Sequence, residues 1–395
     1  MFVRHGIHEI HCPGRYCHSV RTPAEQTGRT RVAVVFGGRS SEHGVSCLTA
    51  ADVLRALDPD RYEVVPVGIA QDGRWVLESN DPHRFAIADG RLPEVDAARA
   101  TVALRSPEEG GLVVSEAGAV PRALGDVDVV LPLLHGPWGE DGTVQGLMEM
   151  AGVRYVGAGV LASAVGMDKE FMKVAFAAAG LPLLPYVVVR PRRWRQQAGD
   201  VRREVATLGL PVFVKPARAG SSFGITRVDD AGDLDAAVET AQAHDPKVIV
   251  EAAAIGGREV ECAVLQGAAG GPPEASVVGE IVIDPAAGHD FYDFEAKYVD
   301  GTAGLQIPAD LPDDVSARVR AWAVDAFEAI GCEGLGRVDF FYLSDGSVVV
   351  NEINTMPGFT PTSMFPQLWA ASGLTYPQLV DRLLRLALER GTGLR

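Results

Sequence analysis

The stretch Gly336–Asn354, GRVDFFYLSDGSVVVNEIN, carries an arginine, two carboxylates and an amide at spacings suited to holding a cation. It reads as two β-strands joined at Asp345-Gly346, a strong hairpin-turn signal. A two-residue loop sets Leu343 opposite Val348, Phe341 opposite Val350, Asp339 opposite Glu352 and Arg337 opposite Asn354. Side chains alternate along strands, so these last four share one face. Directly opposed Cβ atoms lie about 4.5–5.5 Å apart, where like charges repel. Two carboxylates and an amide oxygen held that close call for a cation, and hard oxygen donors suit Mg²⁺ or Mn²⁺. The competing reading is an exposed hairpin with a solvated polar face. A three-residue loop would slide the register by one and weaken the case.

A second constellation is Lys215–Gly224, KPARAGSSFG, a small-residue loop between two strand patterns. Its Gly and Ser residues let backbone N–H groups close over an anion, and Lys215 offers a point charge for phosphate. It is not a P-loop, because its lysine precedes the glycines. A flexible hairpin loop is the plain alternative. Glu251 and Glu259 flank Ile255-Gly256-Gly257 and are placed to meet a base and a ribose; glutamates beside turns are also commonly just solvated.

The elements that must position these groups begin at Arg31. A buried strand over Arg31–Phe36 is predicted, then a helix over 42–57, a strand over Tyr62–Ile69, a strand over 127–134 and a helix over Thr143–Met150. This alternation implies an α/β first domain with a mostly parallel sheet; residues 80–125 give no clear pattern. Helices are predicted over 167–179, 233–243, 312–330 and 375–389. Strands are predicted over 186–189, 211–215, 225–228, 247–251, 258–265 and 276–283, followed by a polar, aromatic loop over 288–304. The domains are accordingly 31–156, 157–246 and 247–395. Residues 1–30 are expected to be a flexible extension. They hold His5, His8, His11, Cys12, Cys17 and His18 in no zinc spacing, and they lack a signal-peptide apolar core.

The 395 residues suffice for two or three domains, and 47% hydrophobic with 22% charged residues is ordinary for a soluble protein. A formal charge of −16 argues against a nucleic-acid or anionic-membrane binder while leaving room for a local basic pocket. No apolar run approaches the roughly 20 residues of a membrane span. Five cysteines without a C-x-x-C pair fit a reducing, cytoplasmic location.

The loop 215–224, the hairpin 337–354 and Met167-Asp168-Lys169 together resemble the ATP-grasp architecture, here joined to an N-terminal α/β (pre-ATP-grasp) domain. Four further motifs narrow the resemblance to the D-alanine–D-alanine ligase family: GGRSSEHGVS at 37–46, HGPWGEDG at 135–142, FYDFEAKY at 291–298 and NTMPGFT at 354–360. The match runs from about residue 31 to the end, in the family's order.

The resemblance implies that ATP phosphorylates one D-alanine carboxylate and that the amine of a second D-alanine attacks the acyl phosphate. Positioning and fixed positive charge are the tools such chemistry needs. By motif position, Asp339, Glu352 and Asn354 would hold two Mg²⁺ or Mn²⁺ ions. Lys169 and Lys215 would contact the nucleotide phosphates with Ser221 and Ser222, and Glu251 and Glu259 would meet adenine and ribose. Arg337 and the Gly358 N–H would stabilise the tetrahedral oxyanion. Glu42 would pair with the first D-alanine's ammonium, His135 would sit near its carboxylate, and Ser363 would bind the second carboxylate. Ser221 and Tyr298 would bond each other and close the loop over the site, excluding water. Taken singly, Glu42 also reads as a first-turn helix carboxylate, His135 as a cap on the sheet and Tyr298 as a packing aromatic. Trp322 and Trp369 read as core. The segment 252–258 is one residue longer than the commoner family form and lacks a charged residue next to Glu251, which leaves adenine contacts to backbone groups.

The implied activity is D-alanyl-D-alanine synthesis for peptidoglycan precursors by a homodimer. Ala296-Lys297-Tyr298 resembles the dipeptide-forming members. The alternatives are a D-alanine–D-lactate or D-alanine–D-serine ligase, or a non-catalytic nucleotide-binding regulator, which would be expected to have lost a metal ligand, Arg337 or the loop lysine.

Overall fold

The computed structural model describes residues 28–88, 90–104, 112–115, 122–220, 223–283 and 303–392. Ser221, Ser222, Tyr298, the extension to residue 27 and nearly all of the 288–304 loop lie outside the described residues.

The first sheet is built from β1 (Thr30–Gly37), β2 (Tyr62–Ile69), β3 (Trp75–Leu77), β4 (Thr101–Leu104), β5 (Leu112–Ser115), β6 (Arg122–Gly125) and β7 (Val129–Pro132). Its order is β6-β5-β4-β3-β2-β1-β7. Strand β1 is an unbroken apolar run because both its faces are covered: Val32, Val34 and Phe36 enter one core, Ala33 and Val35 another. It pairs in parallel with β2 and β7. Beyond β2 the pairing turns antiparallel through β3 to β6. The expectation of a mostly parallel sheet thus holds only for β2-β1-β7. The unreadable region 80–125 supplies short edge strands whose alternation is too brief to register. Helices α1 (His43–Ala56) and α2 (Thr143–Met150) follow β1 and β7.

The helix predicted over 167–179 is α4 (Lys169–Ala178), and Asp168 separates it from α3 (Val160–Met167), a helix not expected from the sequence. The Asp168 backbone is extended, and its carboxylate accepts the Glu170 and Phe171 N–H groups as an N-cap. The second sheet takes β8 (Tyr186–Val189), β9 (Val212–Pro216), β10 (Thr226–Val228) and β11 (Val248–Ala252) in the order β10-β9-β11-β8. Strand β11 lies between β9 and β8, so it belongs with this sheet although the sequence division put it after the 246/247 boundary. Helices α5 (Pro191–Ala206) and α6 (Leu234–Gln242) cover it. The sequence gives little sign of α5, because it buries only Val201 and Val205 and is otherwise polar.

The third sheet contains β12 (Arg258–Leu265), β13 (Glu274–Ile283), β14 (Ala303–Gln306), β15 (Leu335–Tyr342) and β16 (Val348–Asn354), ordered β14-β13-β12-β15-β16. Helix α7 (Asp313–Ala329) packs on it, and α8 (Met364–Ala371) and α9 (Tyr376–Glu389) end the described chain. A Thr375/Gln378 capping box starts α9, which returns to the first sheet, where the Tyr62 hydroxyl of β2 donates to Asp381 at 2.7 Å. Cys47, Cys262 and Cys332 are buried free thiols. Burial pushes all three up, Cys262 to about 12, which leaves them unreactive.

The hairpin reaches its expected pairing by an unexpected route. Leu343 pairs with Ser347, so the loop has three residues rather than two and the register near it is shifted: Phe341 faces Val349 and Tyr342 faces Val348. Asn351 is then an extra residue in β16, a bulge that cancels the shift. Asp339 therefore faces Glu352, and Arg337 faces Asn354.

Candidate active site

Where the second and third sheets meet the loops after β1 and β7 there is a cavity of about 720 Å³. Its walls include Glu42, His135, Lys169, Lys215, Glu251, Glu259, Arg337, Asp339, Glu352, Asn354, Gly358 and Ser363. All the site residues expected from the sequence that are described line it.

One wall is the β12-β15-β16 face. Register sets Glu261, Asp339 and Glu352 side by side on three adjacent strands. Arg337 binds Asp339 through Nε and Nη2, each at 2.7 Å, and its Nε lies 2.8 Å from Glu261 Oε2. Asn354 Nδ2 donates to Asp339 at 2.9 Å, and Lys169 Nζ stands 3.3 Å from Glu352. Among the described residues no three His, Cys, Asp or Glu side chains are closed into a metal cage; arginine and lysine supply the positive charge. The residue types fit a hard divalent ion, since two carboxylates and an amide side chain stand together at the cavity wall. Glu261 was not singled out from the sequence. Its signal was its position two residues beyond Glu259, which puts both on one face of a strand.

A second wall holds the lysines. The Glu251 carboxylate is fully enclosed, with Lys173 Nζ 2.5 Å from one oxygen and Lys215 Nζ 2.7 Å from the other. Burial pushes Glu251 up, but the two ammonium charges overcome it and hold the carboxyl at about 2. Burial lowers Lys173, and Glu251 only partly offsets this. Lys215 feels burial too, yet the Glu251 charge and hydrogen bond leave it raised. The Glu251 side chain is thus turned to the lysines, leaving its backbone for other contacts. Lys169 Nζ donates to Ala219 O at 3.1 Å, tying α4 to the small-residue loop. Arg218 pairs with Asp245 and anchors that loop's base. Gly224 lies in the left-handed region, and a Cβ there would stand 2.5 Å from the His244 ring.

The third wall comes from the loops after β1 and β7. The Ser40 hydroxyl donates to His135 O at 2.8 Å and joins the two. His135 Nδ1 lies 3.1 Å from Met356 O, while its Nε2 is buried without a hydrogen-bond partner. A buried, unsatisfied ring nitrogen lining a cavity fits a polar ligand there. Glu140 accepts from the Gly136 N–H at 2.7 Å and the Met356 N–H at 3.1 Å. Burial and then the Glu42 charge push its carboxyl up to about 8, against those two N–H groups and Arg337. Glu42 sits at the start of α1 and is buried. Gly136 has a φ of 71°, and a Cβ on it would stand 2.8 Å from Glu42 Oε2. Ser363 precedes α8 and shares a hydrogen bond with the Thr360 hydroxyl at 2.8 Å.

The arrangement puts fixed cations beside a carboxylate row, with small-residue loops and an unsatisfied imidazole facing them. It is suited to a polyphosphate and a small zwitterion. Family models described as "D-ala D-ala ligase N-terminus" and "D-ala D-ala ligase C-terminus" match residues 31–158 and 175–385. The chain is 60% identical over 374 residues to a D-alanine–D-alanine ligase of Paenarthrobacter aurescens (strain TC1), covering 93% of this chain and 98% of that one. It is 56% identical to one from Mycobacterium sp. (strain KMS), again over 93% and 98%. Among solved structures it is similar to the VanG D-Ala:D-Ser ligase of Enterococcus faecalis, with a TM-score of 0.77, 34% identity and coverage of 91% of this chain and 100% of that one. The D-alanine–D-alanine ligase of Coxiella burnetii gives a TM-score of 0.74 and 32% identity, with 92% and 94% coverage. The chain belongs to the D-alanine–D-alanine ligase family.

Proposed function

We propose that this chain is an ATP-dependent D-alanine–D-alanine ligase serving peptidoglycan precursor synthesis in the cytoplasm. The observation that carries the reading is the single cavity in which the phosphate lysines, the carboxylate row and the Glu42/His135 corner face one another. Relatives at 55–60% identity named D-alanine–D-alanine ligase support the dipeptide product. No described helix is long and apolar enough to cross a membrane. The proposed assembly is a homodimer, and the proposed domains are an N-terminal unit to residue 156 and the two ATP-grasp subdomains after it, with β11 counted in the central one.

In this reading Lys169 and Lys215 hold the nucleotide phosphates, with Ser221 and Ser222 assigned to the same loop. Glu259 takes the ribose, and the backbone beside Glu251 takes the adenine. Asp339, Glu352 and Asn354 would hold two Mg²⁺ or Mn²⁺ ions, which when bound neutralise phosphate oxygens and align the γ-phosphoryl group. A D-alanine carboxylate oxygen attacks the γ-phosphorus and ADP leaves, making the acyl carbon a competent electrophile. Glu42 and His135 fix that first D-alanine by its ammonium and carboxylate. Ser363 fixes the carboxylate of the second, whose amine attacks the acyl carbon. Phosphate departs with the carboxylate oxygen, and the amine sheds its protons to solvent. Arg337 and the Gly358 N–H face the oxyanion as it forms, where fixed donors do most for the rate. Closure by Ser221 and Tyr298 would keep water from the acyl phosphate.

The structural similarity to a D-Ala:D-Ser ligase keeps D-serine in view as the second substrate. The test is product identification with Mg-ATP, D-alanine and a panel of D-amino and D-hydroxy acids across pH. D-alanyl-D-alanine is the expected main product. A preference for D-lactate or D-serine near neutral pH overturns the substrate choice, and no phosphate release from folded protein overturns the enzyme reading.

A further inference from the structure

Three ionisable side chains stand together behind the phosphate wall, and one has no access to it. Lys173 is 1% exposed and does not line the cavity, whereas Lys215 and Glu251 do. Each Glu251 oxygen has its own lysine: Lys173 on Oε1 and Lys215 on Oε2. Lys173 Nζ also donates to Asn351 O at 3.3 Å, on the bulge that restores the hairpin register next to Glu352.

A buried carboxylate stripped of its counter-charge is heavily penalised. A lysine that is the sole partner of such a group is therefore not free to serve an incoming anion. We propose that Lys173 is a positioning residue, which keeps Glu251 neutralised from the interior so that Lys215 is released to a nucleotide polyphosphate. This rests on the reading that Lys215 meets the phosphates.

The burial argument explains why the pair is asymmetric. Lys215 is the more accessible ammonium, at 12% side-chain exposure against 2% for Lys173. When Lys215 turns to phosphate, Glu251 keeps one full ion pair and two charges stay matched inside. Without the Lys173 charge, Glu251 and the phosphates compete for one lysine. Lys173 lies four residues after Lys169 on α4, so one helix face carries both a cavity lysine and the interior one.

The full-length chain is tested as Lys173→Met, Lys173→Arg and Lys173→Met/Glu251→Gln. Direct binding of ADP and of adenosine is measured, with KM for ATP and kcat. Lys173→Met is expected to weaken ADP roughly tenfold or more while leaving adenosine within about twofold, because coupled charges lose their interaction only where phosphate is present. KM for ATP rises more than kcat falls, and Lys173→Arg recovers most of the ADP affinity. In the double variant no carboxylate remains to hold Lys215, so ADP affinity returns to within about threefold of the parent. Equal weakening of ADP and adenosine overturns the proposal, as does a folded double variant that binds ADP roughly tenfold more weakly than the parent. The double variant carries the test if the single one does not fold, since removing both members of a buried pair is tolerated far better than removing one. The ADP and adenosine readouts stand whether or not the chain makes D-alanyl-D-alanine, so the two readings fail separately.

Discussion

Replacing Arg337 by methionine separates its structural debt from its chemical role. Its guanidinium is shared by Asp339 and Glu261, with side-chain exposures of 14%, 4% and 2% for the three. The two carboxylates face each other across adjacent strands. Removing one member of such a cluster typically costs about 3–5 kcal/mol. Asn354 still donates to Asp339, so the low end, roughly 3 kcal/mol, is the better figure here. At about 2–4 °C per kcal/mol for a domain of this size, melting should fall by roughly 6–12 °C in metal-free buffer. A divalent cation at Asp339 replaces the missing charge, so Mg²⁺ without nucleotide should raise the variant's melting point more than the parent's. With saturating Mg-ATP and D-alanine, turnover should still fall by about 10²–10³, the loss typical of an oxyanion donor. Differential scanning fluorimetry with and without Mg²⁺, beside coupled ADP release, measures both. A melt within about 2 °C of the parent, with the same Mg²⁺ response, would refute the charge argument.

Glu352→Ala should abolish turnover and cost under about 1 kcal/mol of stability, because its pair with Lys169 is 28% exposed on the glutamate side; an active, folded variant refutes the metal assignment. Gly136→Ala is strained at a φ of 71° and puts a Cβ 2.8 Å from Glu42 Oε2. It should raise KM for D-alanine more than KM for ATP, and the reverse order in steady-state kinetics counts against the Glu42 role. Glu140, pushed up from 4.5 to about 8, holds its proton more tightly folded than unfolded. Its contribution is complete below pH 4.5 and is lost as pH rises through 8. The ligand-free chain should therefore lose stability across that window, and Glu140→Gln should flatten this part of the profile in pH-dependent melts. Parallel profiles for parent and variant would show that Glu140 is not the group responsible.

Elements with strong periodicity were legible without coordinates. Tyr62–Ile69, Thr143–Met150, Tyr186–Val189 and Arg258–Leu265 have their predicted bounds, since compact apolar runs in the strands and one apolar face in the helix stand out from their polar flanks. The Asp339/Glu352 pairing was also foreseen, though from a loop one residue too short. Two departures, the longer turn and the Asn351 bulge, cancel at the site. Polar face identity was fixed by the alternation of VDF and NEIN, while the place where the extra residue is absorbed depends on what packs there. Lys173 reaches Asn351 O at that point, and Val350 N donates to Pro182 O beside it.

The amino-acid order alone determined the chemistry on offer: which side chains are hard oxygen donors, which loops are small enough to admit an anion, and which strands carry them. It did so because these are properties of residue type and short-range spacing. Only the tertiary structure decided which charges neutralise which. Glu251 is locked between Lys173 and Lys215, Glu261 shares Arg337 with Asp339, and Glu140 bridges the loops after β7 and β16. Each of these depends on at least one partner tens to hundreds of residues away. Their energies come from burial and distance, which exist only after the sheets have packed around one cavity.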